Sequence, residues 1–364
     1  MAVAVAPDSS GVQCAWCPSQ REASPWSASM VMRAGLVPRD ESRVTKRGPL
    51  VLPPRFTDAQ VLAARGSKNP VDARRPYAFL VEPECAASGQ IEDVATLFLT
   101  NRECPFHCLM CDLWRNTTDS RVPPGAIPEQ IDYALARLPA ARHIKLYNSG
   151  NFFDRQAIPV KDHAEIAERV RSFHTVIVEN HPRLCDDDVL RFRDRLSGQL
   201  EVALGLETVH EEVLDRLNKR MTLADYKRAV TFLRRAEIHV RTFILLRPPF
   251  LNELEGMEWA IRSLQFAFDL GVQCAAVIPT RPGNGMLEQL MQAGWFESPQ
   301  MASMEQVLEA GLRMQQGRVF MDLWDCERFY PCERCGPARR ARLHEMNLTQ
   351  RELPRVSCDC GTIS

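Results

Sequence analysis

Long apolar runs are missing from this chain. No stretch approaches the ~18 consecutive apolar residues that a membrane-spanning helix needs, so no membrane partner is expected. The N-terminus carries only a short Ala/Val tract, Met1 to Pro7, without the charged-then-apolar order of a secretory signal. A cytoplasmic protein is the resulting expectation. An excess of one charge is also missing: 45 Lys and Arg stand against 46 Asp and Glu, for a formal net charge of −1. No global field therefore advertises nucleic acid or an acidic membrane, while a local basic patch stays open. Internal repeats, a nucleophilic triad and a metalloprotease motif are absent as well.

What is present is length and sulfur. The 364 residues suffice for one large domain with appendages or for two domains. There are 13 cysteines, an odd number that argues against a fully paired disulfide framework. In a reducing compartment such thiols serve more often as metal ligands or nucleophiles.

Residues 1–50, rich in Ala, Ser, Pro and Arg without a period, read as a disordered or misassigned leader, and 51–93 as an N-terminal extension with weak helical signals. A regular alternation begins at residue 94. Apolar or β-branched runs at 94–99, 143–147, 175–179, 200–206, 238–246 and 273–279 are separated by helical spacing at 128–138, 160–172, 186–195, 209–236 and 252–270. Further helices are expected at 284–293 and 301–315, then an apolar run from Val319 to Trp324. Six strands with helix-sized crossovers predict an α/β fold with a parallel sheet wound one way, an open or partial barrel over 94–325. Chemistry then gathers after the C-terminal strand ends. Glu179 and Arg247 stand at two such ends, and Thr280–Gly285 is a Gly-rich turn able to cradle an anion.

The first strand is followed by Cys104-Pro-Phe-His-Cys108-Leu-Met-Cys111. Three thiolates so spaced can hold three corners of an iron–sulfur cubane and leave one iron open. The alternative is a structural zinc loop with His107 or a distant residue as fourth ligand. Position after the first strand of a βα series favours the cluster.

This loop resembles the cluster motif of the radical S-adenosylmethionine (SAM) superfamily, with Met110 in place of the aromatic residue common before the last cysteine. Ser149, Gly150 and Asn151 occupy the place of the family's Gly-Gly-Glu-like turn, which binds the SAM amino group, though the glutamate is absent. Gly205-Leu206-Glu207-Thr208, followed by Asn218-Lys219, is similar to a pattern of the branch holding methylthiotransferases and the Elongator catalytic subunit. The set most resembles the subgroup related to the radical SAM component of archaeosine synthase. The resemblance implies a partial (βα)6 barrel, a 4Fe–4S cluster on Cys104, Cys108 and Cys111, and SAM bordered by Phe106, Met110, Ser149, Gly150, Asn151, Glu207 and Arg247. It also implies an electron donor such as flavodoxin or ferredoxin, and suggests a modified tRNA base as substrate and a partner subunit. A peptide or small-molecule substrate stays open, as does a non-catalytic zinc protein that binds nucleic acid.

The tail, 326–364, is rich in cysteine. Cys332, Cys335, Cys358 and Cys360 can close a second metal site, for zinc or an auxiliary cluster, with Cys326 as a substitute ligand. Arg328, Arg334, Arg339, Arg340 and Arg342, with Trp324, Phe329 and Tyr330, form either an RNA-gripping face or a solvated one. Cys14 and Cys17 read as incidental.

Overall fold

The structure, a computed structural model, describes residues 53–360. The leader, with Cys14 and Cys17, lies outside the described residues.

The strands are β1 (Ala78–Cys85), β2 (Ile91–Phe98), β3 (His143–Tyr147), β4 (Thr175–Asn180), β5 (Gln199–Glu207), β6 (His239–Leu246), β7 (Cys274–Pro279) and β8 (Arg318–Met321). They form one sheet in sequence order. β1 pairs antiparallel with β2, and every later pairing is parallel. The helices are α1 (Asp58–Ala63), α2 (Ala126–Leu135), α3 (His163–Arg169), α4 (Asp187–Arg193), α5 (Glu211–Arg216), α6 (Leu223–Arg235), α7 (Glu253–Asp269), α8 (Met286–Gln292), α9 (Met301–Met314) and α10 (Gly336–Thr349).

The six expected strands are present as β2 to β7, a partial barrel. Two more strands flank them. β1 was hidden in sequence because Glu82, Pro83 and Glu84 interrupt its apolar pattern; an edge strand tolerates proline, whose missing N–H faces no neighbour. The stretch 209–236 is two helices, split where Asn218 and Arg220 take φ of 53° and 56°. α6 restarts from a capping box between Thr222 and Asp225 and buries Tyr226, Ala229, Val230 and Leu233, one helical face.

Strand residues alternate cleanly between two faces. Ile144, Leu146, Val176, Val178, Val202, Leu204, Val240 and Ile244 face outward into the main apolar core under the helices. Their neighbours Lys145, Tyr147, Glu179, Glu201, Ala203, Arg241 and Phe243 therefore face the barrel interior. Contacts between strands that are not sheet neighbours prove the curl. Glu84 of β1 pairs with Arg241 of β6 at 2.5 Å, and Glu201 of β5 reaches Arg318 of β8 at 3.0 Å.

The tail joins this core: Cys326, Phe329, Leu343 and Met346 are buried in it. Arg339 and Arg342 of α10 are also buried, paired with Glu305 and Glu309 of α9. These two arginines, with Phe329, are thus removed from any RNA-gripping face; Trp324, Arg328, Arg334 and Arg340 stay exposed.

Candidate functional site

The cysteine loop leaves β2 at the C-terminal rim and is braced from three sides. Leu109 N–H donates to Leu217 O at 2.9 Å, and Asn218 Nδ2 donates to His107 O at 2.8 Å. Asn284 Nδ2 donates to the carbonyls of Leu109 at 2.8 Å and Cys111 at 3.3 Å. Asn284 of the Gly-rich turn is therefore spent on the loop and on capping α8 through Leu287 N–H. Phe106 stacks on the His181 ring, with centroids 3.9 Å apart. Met110 is half-buried in the same loop. His107 turns to Asp58, 3.1 Å away.

Burial pushes the thiols of Cys104, Cys108 and Cys111 each up to about 12. Such thiols ionise only beside strong positive charge, which iron supplies. Cys104 Sγ already accepts from Asn151 Nδ2 at 3.1 Å and Phe106 N–H at 3.5 Å, the donors a thiolate needs. Only the tail quartet, among the described residues, gathers its ligand atoms within 4.8 Å. The wider trio suits a multi-iron cluster better than one ion.

After β3, Asn148 to Asn151 turn sharply, with Ser149 at φ 53°. Glu179, at the end of β4, holds the turn by accepting from Asn148 N–H at 2.6 Å and Gly150 N–H at 3.3 Å. Burial raises its carboxyl to about 7 against the pull of those N–H groups. Tyr77 Oη lies 2.8 Å from Ser149 Oγ. Both side-chain amide atoms of Asn148 are buried without a partner, as is Asn101 Oδ1. Orphaned donors and acceptors after β2 and β3 are groups that a polar ligand would satisfy.

Glu207 has φ 67° at an irregularity in β5 and pairs with buried Lys219 at 2.6 Å. Burial works against the Lys219 ammonium, yet the Glu207 carboxylate keeps its pKa above the usual value. A Cβ on Gly205 would fall 2.2 Å from Glu207 Oε1 and 2.4 Å from Lys219 Nζ, so only glycine leaves room for the pair. Lys219 O also receives His181 Nε2 at 3.0 Å. Arg247 is differently engaged. Its Nη atoms meet Glu253 at 2.6 Å, Ser298 O at 2.8 Å and Glu297, which ties β6 to α7 and the 297–298 loop.

In the tail, Cys332 Sγ lies 3.2 Å from Cys335 Sγ and 3.9 Å from Cys358 Sγ, and Cys335 Sγ lies 3.9 Å from Cys360 Sγ. Cys335 N–H donates to Cys332 Sγ and lowers its pKa. Buried Cys326 takes no part in this group.

Tyr77 carried no recognisable signal, and Asn148 and Asn284 were marked only by lying in turns after expected strands. Glu179 did, as a charged residue ending an apolar run.

Residues 99–260 match the family model described as Radical SAM superfamily; the chain carries a radical SAM domain. An uncharacterized protein of Methanocaldococcus jannaschii is 22% identical over 316 residues, 80% of this chain and 86% of that protein. Archaeosine synthase subunit beta of Thermococcus kodakarensis is 26% identical over 166 residues, 43% of this chain. The chain spans about half, 51%, of that relative's length. A crystal structure of methylornithine synthase aligns with a TM-score of 0.46 at 15% identity, covering 67% of this chain and 68% of that one.

Proposed function

We propose that this chain is a radical SAM enzyme that abstracts hydrogen from a base of a modified tRNA, with Cys104, Cys108 and Cys111 as ligands of a 4Fe–4S cluster. The observation that carries the reading is the trio of thiols at the rim, Cys108 buried and Cys104 and Cys111 half-buried, near a turn with unsatisfied polar groups. When bound and reduced by a flavodoxin or ferredoxin, such a cluster supplies the electron that cleaves SAM to methionine and a 5′-deoxyadenosyl radical.

The chain's own residues do the rest. Asn151 and the Phe106 N–H stabilise the Cys104 thiolate. Ser149, Gly150 and Asn151 offer oxygens to the SAM ammonium, and Asn148 offers both an acceptor and a donor. Glu179 keeps that turn in shape. Glu207, held by Lys219, faces the interior as a polar contact for the SAM ribose or carboxylate region. Phe106 and Met110 border the adenine. Arg247 acts from outside this group, fixing the exit of β6. The tRNA substrate and a partner subunit rest on the similarity to archaeosine synthase subunit beta.

The tail quartet fits one zinc ion. A tetrahedron with Zn–S near 2.3 Å has edges of about 3.8 Å, and the closest sulfur pairs here lie at 3.2 and 3.9 Å.

The test is anaerobic reconstitution with iron and sulfide. About four of each per chain in the core, and 5′-deoxyadenosine from SAM on reduction, are expected. Protein that binds zinc alone at both cysteine sets would overturn the reading in favour of a non-catalytic one.

A further inference from the structure

We propose that the segment from Asp58 to Lys68 is a clamp on the cysteine loop, with Asp58 and Arg65 as positioning residues for the metal that the three core thiols hold. The identity of that metal rests on the radical SAM reading; the clamp is made by the chain's own side chains.

Asp58, the first residue of α1, reaches the middle of the loop. Its Oδ1 accepts from Asn218 Nδ2 at 2.8 Å, and the same amide donates to His107 O at 2.8 Å. Its Oδ2 lies 3.1 Å from His107 Nδ1 and 2.5 Å from Arg220 Nη2. One carboxylate thus ties the residue before Cys108 to the turn at 218–220. The Asn218 hydrogen bond, with His107 and Arg220, holds its carboxyl down at about 2, so it stays ionised at any working pH.

Arg65, just beyond the end of α1, grips the two flanks of the loop. Its Nη1 lies 2.5 Å from Glu103, the residue before Cys104, and its guanidinium sits 4.9 Å over the ring of Trp114, three residues after Cys111. Lys68 Nζ adds a second contact to Glu103 at 2.8 Å. The Arg65 side chain is only 8% exposed, and its Nε is buried without a hydrogen-bond partner. Its charge is among those that draw the Cys111 thiol down against burial. Two cations on one carboxylate leave positive charge beside the loop, where thiolates and a reduced cluster gain from it.

The close approach is built into the backbone. A Cβ on Gly285, which has φ 87°, would fall 1.9 Å from Ala64 O, so only glycine lets the segment lie on this turn. The neighbouring Asn284 holds the carbonyls of Leu109 and Cys111, so a single turn seats both the clamp and the loop. Apolar packing does little to explain the segment: α1 has six residues, too few to stand alone, and buries only Val61. Its charged side chains decide its place.

The test compares anaerobically reconstituted variants for iron release to a chelator and for the cluster's reduction potential. Asp58→Asn and Arg65→Gln should each release core iron about tenfold faster than wild type. Arg65→Gln should also disfavour reduction roughly tenfold, a fall of about 59 mV for one electron, while Arg65→Lys stays close to wild type. Arg55→Ala, which removes only the exposed pair of the same segment with Asp215, should behave as wild type. Tail zinc content checks the fold of each variant. Iron release at the wild-type rate in both clamp variants, an unchanged potential in Arg65→Gln, or an Arg55→Ala protein as labile as Asp58→Asn would each overturn the clamp. If the core thiols take zinc instead of iron, the enzyme reading fails. The clamp is then judged by the same faster release of core zinc, measured in a Cys332→Ser background.

Discussion

The core cysteine loop and the tail quartet use one side chain for two different ends. Cys104, Cys108 and Cys111 are three, spread, and set at a rim where Asn148 and Asn101 leave polar atoms unpartnered. The tail supplies four sulfurs drawn within 4.8 Å. A site with three protein ligands keeps a position for a substrate; a site with four is coordinatively closed and contributes folding energy. The supports differ in kind too. The core loop is held by side chains from distant segments, Asn218 and Asn284. The tail site is held by its own short chain, with Cys335 at the start of α10. In the proposed reading the first arrangement positions a reactant and the second, once it holds a metal, staples the two ends of the tail together.

Five substitutions break or sharpen this contrast. The largest effect is expected for Cys108→Ala, which should abolish 5′-deoxyadenosine formation and lose the core iron and sulfide while one zinc per chain remains. Retained SAM cleavage would refute the assignment. Next, Lys219→Met leaves the Glu207 carboxylate buried alone and should cost about 3–5 kcal/mol in urea unfolding, with much of it recovered in Lys219→Met with Glu207→Gln. A double variant no better than the single would show that the pair is not the source.

Cys332→Ser should reverse the first pattern: zinc is lost and the thermal midpoint falls by several degrees, while core iron stays near four per chain. Loss of both metals together would mean that the two sites are not independent. A smaller effect is expected from Glu179. Its folded pKa, about 7, lies above the ordinary 4.5. Folding therefore favours its protonated form, and this contribution is full below about pH 4.5 and declines as pH rises to about 7. In cluster-free protein, wild type minus Glu179→Gln stability should fall across that window; a flat difference would count against a buried titrating carboxyl. Arg334→Ala, which removes an exposed pair with Asp359, should leave the unfolding midpoint unchanged within error.

Much of the scaffold was legible because parallel strands buried on both faces read as apolar runs, and crossover helices need caps and one apolar face. β2 to β7 announce themselves this way, and the cysteine loop stands out by spacing. β1 and β8 were less clear. β1 alternates charge with apolar residues because Glu82 and Glu84 point at basic partners on other strands, and nothing local records those partners. The same reason hid the fate of Arg339 and Arg342, which look like a basic patch until α10 docks on Glu305 and Glu309.

Local chemistry alone therefore marked β2 to β7, the crossover helices between them and the two sets of cysteines, with zinc or an iron–sulfur cluster open at each. Ligand type and spacing are written in the chain, since a thiolate binds soft metals wherever it is placed. Only the tertiary structure decided what surrounds them: that Glu179 braces the turn after β3, that Lys219 neutralises Glu207, and that Cys326 is core. Those facts depend on contacts between strands far apart in sequence, created when the sheet curls, and periodicity carries no information about which distant side chain will arrive.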